Sequence, residues 1–405
     1  MEGKRFIHKI KLTNFLSFGP EGMELELQPL NVLIGPNASG KSNFIEAFAV
    51  LKAAPSDLRI PFREGGGVEQ WLYRGGENLP TAELQTSVRA GRSRMAGPEA
   101  YELHFTVHPE QRHRVWVVHE RVDRGDDSAA YLLYGGTGYG SWDPGRPSPK
   151  RQTLTVDGRP WVGRPLGRMP TDQSVLSQLR DAEVHPEITR LGSWFREIGL
   201  YRECSLGRGA QARHPQPADL PADRLLDSGQ NLALVLNDLE HRAGAKDRVL
   251  ECLRNVDPQV RDYSVRVIGG TVQLYLEESG LPAPVPATRL SDGTLRYLLL
   301  LAMLLHPEPP PVTCIEEPEL GLHPDAIRTI GELLIEASQR TQLIVTTHSD
   351  FLVAALSEVP EAVVVCERDT GGTRMQRLEP ERLTEWLKQY SLGDLWVRGH
   401  LGGNR

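Results

Sequence analysis

The chain has 405 residues and a formal net charge of −7, and 39% of its residues are hydrophobic. A chain of this length provides for roughly two to three structural units with sizeable cores. The negative charge excludes a global basic field for nucleic acid, so any DNA surface would be a local patch. No apolar run reaches the ~20 residues that cross a bilayer, and the first residues lack the apolar core of a signal peptide. We therefore expect a cytoplasmic protein with no membrane partner.

The first part of the chain predicts strands on either side of a single helix. Alternating apolar residues in MELELQPL (23–30) predict a half-exposed strand, and the continuous run NVLIG (31–35) predicts a buried one. Apolar residues at helical spacing predict a helix from Ser42. Between about 80 and 165 the pattern changes to short strands with an Asp157-Gly158 hairpin turn. This change predicts an antiparallel meander inserted after the helix.

The rest of the chain returns to helical patterns. The segments 186–199 and 231–243 are helical, and neither sustains the heptads of a coiled coil. A hairpin over 262–278 leads through a proline-rich linker (282–286) to a buried helix over 289–305. The final third alternates strand and helix, which predicts a parallel α/β sheet. Its predicted elements are strand 312–316, helix 325–338, strand 342–347, helix 350–356, strand 362–367 and helix 381–390.

The four cysteines lie far apart, with no CxxC pair. Cys314 and Cys366 each stand inside an apolar, strand-like run. For these two, and for Cys204 and Cys252, the spacing favours small buried side chains over disulfides or zinc ligands.

The stretch GPNASGKS (35–42) fits the pattern G-x-x-x-x-G-K-[ST] between a buried strand and a helix, the context that this motif requires. Its glycines let backbone N–H groups cradle the β- and γ-phosphates of a nucleotide. We expect Lys41 to reach the β/γ oxygens and Ser42 to ligate Mg²⁺. The alternative is a glycine-rich turn with a chance lysine. The predicted nucleotide-binding residues are Gly35, Pro36, Asn37, Ala38, Ser39, Gly40, Lys41, Ser42 and Asn43.

The run VTCIEE (312–317) ends a buried strand with two carboxylates, which is costly unless something pairs with them. The motif at 35–42 is a phosphate-binding loop, or P-loop. Its metal needs an acidic partner at the end of a neighbouring strand. Because Mg²⁺ keeps several waters, one carboxylate is enough for it, and the other is left to take a proton from an attacking water. We assign Glu316 to the metal and Glu317 to the catalytic base. The alternative is a solvated acidic loop.

The segment RLSDGT (289–294) stands at the start of the long buried helix. The Ser291 hydroxyl and the backbone amides of Asp292 and Gly293 therefore lie at a helix N-terminus, which is able to bind an anion. The same residues also make an ordinary helix cap.

Two polar residues complete the set of candidates. His348 ends the strand of LIVTTHSD (343–350), where it is able to hydrogen-bond a γ-phosphate. Gln178 in SVLSQLRD (174–181) is an uncharged group suited to binding the metal or orienting water. Each of these residues alone says little about function.

The order of the motifs is informative: P-loop, glutamine, serine-glycine helix start, Glu-Glu strand and histidine strand. The chain resembles the RecF/OLD/SMC branch of ABC-type ATPases, particularly the short RecF-like "AAA family" ATPases of bacterial genomes and defence islands. The resemblance rests on IHKIKLTNFLSFG (7–19), LNVLIGPNASGKSNFIEAF (30–48), GQNLALVLNDL (229–239), RLSDGT (289–294), CIEEPELGLHP (314–324) and VTTHS (345–349). It implies an α/β fold with the parallel core sheet of an ABC-type ATPase head, an antiparallel β subdomain and a helical signature lobe. It implies no long coiled coil.

The resemblance also implies a division of the chain. Residues 1–180 would form ATPase lobe I with the P-loop, the inserted meander and the Gln178 loop. Residues 181–290 would form a helical and β-hairpin insertion. Residues 291–405 would form ATPase lobe II with the signature helix, the Glu316-Glu317 strand, the His348 switch and a C-terminal helix.

Heads of this kind hydrolyse ATP with Mg²⁺ as dimers, so the resemblance implies a homodimer or a higher oligomer. Ser291 would contact the γ-phosphate held by the opposite subunit, and ELGLHP (319–324) would place His323 near the dimer seam. The chain departs from the commonest pattern at two points. Its signature reads LSDGT where transporters have LSGGQ, and Glu316 stands where many relatives have aspartate.

The function implied is an ATP-driven switch that acts on DNA or controls a separately encoded effector or nuclease, in repair or anti-phage defence. Only 57 residues follow His348, too few for the TOPRIM nuclease domain of OLD proteins. The arginine-rich stretch 144–168, which includes Trp161, is a candidate DNA surface, with a solvated loop as the alternative. A different reading is an ATP-gated scaffold that sequesters a toxin or nuclease without binding DNA. A transporter subunit is a third option, against which the RecF-like motifs argue.

Overall fold

The structure is a computed structural model that describes residues 3–76, 78–89, 98–123, 130–134, 138–141, 152–156, 159–165, 170–202 and 206–402. The Asp157-Gly158 turn, Cys204 and most of the arginine-rich stretch lie outside these residues. The strands are β1 (Ile7–Thr13), β2 (Met23–Glu26), β3 (Leu30–Ile34), β4 (Ala82–Arg89), β5 (Pro98–Val107), β6 (Val115–Asp123), β7 (Ala130–Tyr134), β8 (Gly138–Ser141), β9 (Gln152–Val156), β10 (Arg159–Pro165), β11 (Gly199–Tyr201), β12 (Gln216–Pro217), β13 (Val260–Ile268), β14 (Thr271–Glu278), β15 (Val285–Pro286), β16 (Val312–Glu316), β17 (Gln342–Thr346), β18 (Val363–Asp369) and β19 (Gly372–Arg377).

The helices are α1 (Lys41–Ala53), α2 (Arg59–Glu64), α3 (Val175–Gln178), α4 (Pro186–Arg196), α5 (Leu232–Glu240), α6 (Ala245–Val256), α7 (Asp292–Leu304), α8 (Pro324–Ala337), α9 (Asp350–Ala354), α10 (Pro380–Leu387) and α11 (Leu392–Val397). Short 3₁₀ turns lie at Val68–Trp71, Gln211–Arg213, Ala287–Arg289 and Pro360–Ala362.

The centre of the fold is a sheet with the strand order β11-β16-β17-β3-β18-β19. Neighbouring strands within this sheet are parallel, except for β18 and β19, which are antiparallel. Strands β3 and β17 are buried along their whole length, because helices or further layers cover both faces of such a sheet. The predicted parallel α/β sheet is confirmed. The edge strands β11 and β19 were not predicted.

The two faces of the central sheet pack into different cores. On one face Val32 and Ile34 of β3 belong to the core that includes helices α7 and α8. On the other face Leu33 packs with Phe44 and Phe48 of α1 and with the antiparallel sheet. Successive residues of a strand point to opposite faces, so one continuous apolar run supplies both cores.

The second sheet holds the predicted meander. Within the described residues its order is β2-β1-β4-β5-β6-β7-β8-β10-β9, and its pairs are antiparallel. Strands β9 and β10 pair on either side of the expected Asp157-Gly158 turn. Strand β1 was not predicted, although its buried Ile7, Ile10 and Leu12 face the core.

A third, smaller sheet pairs β14 with β12, β13 and β15, all antiparallel. Strands β13 and β14 form the predicted hairpin. Its turn is Gly269-Gly270, and both glycines have the positive φ that a two-residue hairpin turn requires. Strand β11, which lies within 181–290, pairs with β16 of the central sheet.

Several helices begin or end at other residues than the sequence indicated. The helix expected over 289–305 begins at Asp292, because Ser291 has an extended backbone and caps it. The helix expected from Ser42 begins at Lys41, and the one expected over 325–338 is Pro324–Ala337. The helices expected over 186–199, 231–243, 350–356 and 381–390 are Pro186–Arg196, Leu232–Glu240, Asp350–Ala354 and Pro380–Leu387. The longest helix in the described part of the chain, α8, has 14 residues, in agreement with the prediction of no long coiled coil. In the same part of the chain, no helix combines the length and apolar character needed to cross a membrane.

Candidate nucleotide site

The loop Gly35–Gly40 joins β3 to α1 and turns through unusual backbone conformations. Ala38 and Gly40 have φ of 62° and 101°. A Cβ on Gly40 would lie 2.3 Å from Thr373 Oγ1, and one on Gly35 would lie 2.2 Å from the Cys366 carbonyl oxygen. Glycine is therefore required at both positions, because β18 and β19 back directly onto the loop.

Lys41 is buried and folds back over the loop. Its Nζ donates hydrogen bonds of 2.8 Å to the Gly35 carbonyl and 2.9 Å to the Pro36 carbonyl. Burial lowers the pKa of Lys41, while nearby acidic groups including Glu317 and Glu319 oppose that change. The ammonium group thus lies at the mouth of the loop, where phosphate oxygens would replace the carbonyls as its partners.

The interior of the loop holds a polar atom that calls for a ligand. Ser39 is 1% exposed, and its Oγ has no hydrogen-bond partner among the described residues. An unpaired buried hydroxyl is unusual in a folded protein. The loop therefore fits a group that brings its own hydrogen-bonding oxygens, such as a phosphate.

Glu316 and Ser42 meet beside the P-loop. Residue Glu316 ends β16, and the register of the central sheet aligns it with Thr346 of β17 and then Leu33 of β3. Burial raises the pKa of Glu316. The Arg202 charge and a hydrogen bond with Ser42 partly offset this rise. A serine hydroxyl and a carboxylate are the hard oxygen donors that Mg²⁺ takes alongside phosphates and water.

No group of three or more His, Cys, Asp or Glu residues among those described forms a self-contained metal site. In nucleotide enzymes Mg²⁺ takes most of its ligands from phosphates and water. Ser42 and Glu316 are the residues of this chain that would hold it.

Sequence reasoning missed Arg202, which lies next to Glu316. Strand β11 pairs with β16 at Tyr201 and Ile315, so the following residue, Arg202, comes level with Glu316. Its Nη1 lies 2.8 Å from Oε1 of Glu46 on α1. Arg202 therefore links α1 to the strand of the two glutamates, and its charge favours the ionised form of Glu316. Its sequence context, an arginine after a three-residue strand, gave no signal.

Glu317 stands in a strained turn at the end of β16. Its φ is 43°, a left-handed conformation that is costly for a residue with a Cβ. Its N–H donates to the Thr346 carbonyl at 3.0 Å, and its Oε1 lies 3.7 Å from His348 Nε2. Strain of this kind clusters at functional sites, where it aims a side chain. The two residues predicted as base and γ-phosphate partner are thus neighbours.

Glu319 has a role that the sequence did not reveal. Its Oε1 accepts hydrogen bonds from the Thr347 hydroxyl at 2.7 Å and from the His348 N–H at 2.8 Å. It therefore fixes the backbone that carries His348. Its position two residues after the Glu316-Glu317 pair was the signal that could have identified it.

Gln178 lies at the exposed end of α3. Its Nε2 donates to Ser177 Oγ at 3.1 Å and to Gln173 Oε1. The hydrogen bonds of Gln178 are thus local, and its place at the metal remains a prediction.

Ser291 caps α7 by accepting a 3.0 Å hydrogen bond from the Thr294 N–H. A Cβ on Gly293 would lie 2.7 Å from the Gly321 carbonyl oxygen, so the start of α7 packs closely against the 319–324 turn of the same chain. His323 caps α8 and is exposed. These residues share one surface with a cavity of about 210 Å³, and their contact with a nucleotide remains a prediction.

The P-loop, the carboxylates at the end of β16 and the parallel sheet that aligns them are those of an ABC-type ATPase head. An Smc head bound to the C-winged helix domain of ScpA is similar in fold, with a TM-score of 0.58, 15% identity, and coverage of 93% of this chain and 99% of that one. An Smc head with an extended coiled coil, bound to the C-terminal domain of ScpA derived from Pyrococcus furiosus, has a TM-score of 0.58, 13% identity, and coverage of 95% and 99%.

A family model matches residues 30–126 and 164–354, and the chain belongs to this family, AAA_21, described as "AAA domain, putative AbiEii toxin, Type IV TA system". A curated relative, the Old nuclease of Escherichia phage P2, is 37% identical over 78 residues. That match covers 19% of this chain and 13% of the relative, so the chain spans a small part of the relative's length. The resemblance to the RecF/OLD/SMC branch is confirmed.

Proposed function

We propose that this chain is a Mg²⁺-dependent ATPase that closes as a homodimer on ATP and opens after hydrolysis. The observation that carries the proposal is the meeting of Ser42 with Glu316 beside the P-loop, next to the Glu317 and His348 pair. These groups come from α1, β16 and the end of β17, and the parallel sheet aligns the strand ends.

The residues divide the chemistry of hydrolysis between them. Lys41 and the loop N–H groups bind the phosphate oxygens, and Ser42 and Glu316 hold the metal, which supplies positive charge against the phosphates. Glu317 accepts a proton from the attacking water. His348 hydrogen-bonds the γ-phosphate, in the orientation that Glu319 fixes through the backbone of Thr347 and His348.

The proposed dimer places Ser291 of one subunit at the nucleotide of the other. Three features support it: the exposed Ser291 and His323, the cavity beside them, and the resemblance to heads that work in pairs. In this arrangement a monomer lacks the Ser291 that completes its site. The carboxylates at the end of β16 are therefore catalytically idle until a dimer forms.

The ATPase core is tested by two variants. Glu317→Gln is expected to keep ATP bound and to trap a dimer with hydrolysis reduced by about 100-fold or more, since it removes the base. Lys41→Ala is expected to abolish nucleotide binding. Hydrolysis is measured by phosphate release and the dimer by light scattering, with the exposed Glu358→Gln as the matched control. Normal turnover by Glu317→Gln would show that the base is assigned wrongly.

The wider role that we propose is a switch that acts on DNA or controls a separately encoded effector nuclease. The relatives support it: one is named a nuclease, and the Smc heads are bound to ScpA, a protein partner. The family description, which names a toxin, supports the alternative of a scaffold that sequesters an effector. Salt-dependent DNA binding by the ATP-bound Glu317→Gln dimer favours the DNA role. Absence of DNA affinity at low salt, with stable co-purification of the product of a neighbouring gene, favours the scaffold.

A further inference from the structure

Arg213 carries a guanidinium group buried in the lobe that contains the signature helix. Its side chain is 6% exposed. Nε donates to the Leu206 carbonyl at 2.8 Å, and Nη1 donates to the carbonyls of Leu290 at 2.5 Å and Ala287 at 3.4 Å. Nη2 pairs with the Asp292 carboxylate. A buried cation is thus satisfied at both ends of its planar fork.

The partners of this fork bracket Ser291. Leu290 precedes it and Asp292 follows it, and the side chain of Arg213 binds both. Ser291 itself is exposed, and it borders the cavity of about 210 Å³ together with Gly293 and Gly321. Because Arg213 binds the residues immediately before and after Ser291, it sets the position of the serine beside this cavity.

The chain segment that carries Arg213 is held in place by Gln216. Gln216 is 2% exposed, and its side chain donates to the Ala212 carbonyl at 3.4 Å and accepts from the Ala233 N–H at 3.0 Å. Gln216 also belongs to β12, which pairs with β14. The Arg213 segment is therefore fixed to α5 and to the third sheet rather than carried by a free loop.

We propose that Arg213 is a positioning residue that orients Ser291 for the nucleotide held by a second copy of this chain. The proposal rests on the proposed ATPase function and adds the element that sets the geometry of the composite site. Lysine cannot replace Arg213, because its single ammonium group lacks the fork that reaches a carbonyl before Ser291 and a carboxylate after it. The effect falls on the partner's site, and the P-loop of the same subunit is left intact.

The variants follow from these contacts. Arg213→Gln and Arg213→Lys are expected to lower ATP hydrolysis by about 10- to 100-fold, since a small misplacement of a catalytic contact costs that much. Binding of a nucleotide to the monomer's own P-loop is expected to stay within about twofold, measured by fluorescence of a labelled ATP analogue. Asp292→Asn, at an exposed side chain, keeps an acceptor oxygen for Arg213 but removes the charge of its partner, and it is expected to lower hydrolysis by about 10-fold. The exposed Arg208→Gln, in the same segment, is the control.

The decisive experiment mixes two kinds of impaired subunit. Arg213→Gln has an intact P-loop, and Lys41→Ala has an intact Ser291 segment, so their heterodimer contains one complete site. An equal mixture is expected to recover about a quarter of wild-type hydrolysis, because half of the dimers are mixed and each has one site. A merely structural defect in Arg213→Gln would not be rescued in this way.

The outcomes separate the inference from the function on which it rests. Mixtures of Ser291→Arg with Lys41→Ala test the composite site alone. If that pair recovers activity while Arg213→Gln hydrolyses ATP like wild type, or stays inactive when mixed, Arg213 has no positioning role. If the Ser291→Arg pair also fails to recover beside an active wild type, the proposed dimer itself is wrong.

Discussion

The Glu319 carboxylate accepts a 2.8 Å hydrogen bond from the backbone N–H of His348. The same oxygen accepts the Thr347 hydroxyl at 2.7 Å. Burial raises the pKa of Glu319, and these two bonds oppose that change. One carboxylate of the 319–324 turn thus holds the strand end that carries His348, the residue proposed to bind the γ-phosphate.

Replacement of Glu319 is expected to affect turnover more than nucleotide binding. Glu319→Ala removes both bonds and is expected to lower kcat by about 10- to 100-fold, with KM little changed, because His348 is displaced while the P-loop is intact. Glu319→Gln keeps an acceptor oxygen and is expected to be intermediate. Steady-state hydrolysis checks this order, with the exposed Glu358→Gln as control. Equal activity of Glu319→Ala and wild type would mean that Glu319 does not position the histidine.

The central strands were predictable because their chemistry is local. The strands β3, β16 and β17 are short apolar runs. Each leads into a motif that the sequence identifies: the loop Gly35–Ser42, the pair Glu316-Glu317 and His348. The order of strands in the sheet and the edge strand β11 were not predictable, since a three-residue strand has no periodicity to detect.

The supporting residues of the site were missed for a different reason. Arg202 pairs with Glu46 across 156 residues of sequence, and Arg213 pairs with Asp292 across 79. Neither arginine belongs to a motif, and contacts that join distant segments leave no pattern in the neighbouring residues. The groups proposed to bind the nucleotide lie in sequence motifs, whereas the groups that hold them in place depend on the folded topology.

Two costs of replacing a glycine, backbone strain at positive φ and a steric clash of the new Cβ, can be distinguished at Gly40 and Gly67. Both have a φ near 100°, at 101° and 99°. A Cβ on Gly40 meets Thr373 Oγ1 at 2.3 Å, while one on Gly67 meets no atom within 4 Å. Gly67→Ala is expected to cost about 1 to 3 kcal/mol of stability and to leave ATP binding unchanged. Gly40→Ala is expected to weaken ATP binding by about 10-fold or more, because the loop must move away from Thr373.

Equilibrium binding of a fluorescent ATP analogue to the two alanine variants checks this difference, with thermal melting to follow stability. Similar ATP affinities for both variants would mean that the contact with Thr373 does not shape the P-loop.

The described cysteines are expected to be chemically inert in the folded chain. Cys252, Cys314 and Cys366 are free and buried, which confirms their interpretation as small core side chains. Burial raises the pKa of Cys366 to about 12, and it also raises the pKa values of Cys314 and Cys252. Since the thiolate is the reactive form, these thiols should not react at pH 8. Titration with a disulfide reagent should count at most one thiol per native chain and all four after denaturation in guanidinium. Two or more reactive thiols in the native chain would contradict this burial.

Glu120 is expected to make the stability of the chain depend on pH. It is fully buried on β6 and accepts hydrogen bonds from the Tyr101 hydroxyl at 2.8 Å, the Ser174 hydroxyl at 2.5 Å and the Val175 N–H at 2.8 Å. Burial raises the pKa of Glu120 from 4.5 to about 7, against the opposing effect of these bonds. Between those two values the folded chain keeps a proton that the unfolded chain has released. Stability therefore falls as the pH rises through this window, by about 3 kcal/mol in total.

Glu120→Gln removes this titration, although it loses the bond to the Val175 N–H at every pH. Wild type should therefore be the more stable of the two proteins at pH 5. Its advantage in the free energy of unfolding should shrink as the pH rises to 7.5, because only wild type has the titrating carboxyl of Glu120. Unfolding of both proteins in urea at several pH values measures this difference, and effects of the other groups cancel in it. The exposed Glu110→Gln should stay parallel to wild type throughout. A constant difference between wild type and Glu120→Gln from pH 5 to 7.5 would mean that Glu120 stays ionised in the folded chain and that its three hydrogen bonds outweigh its burial.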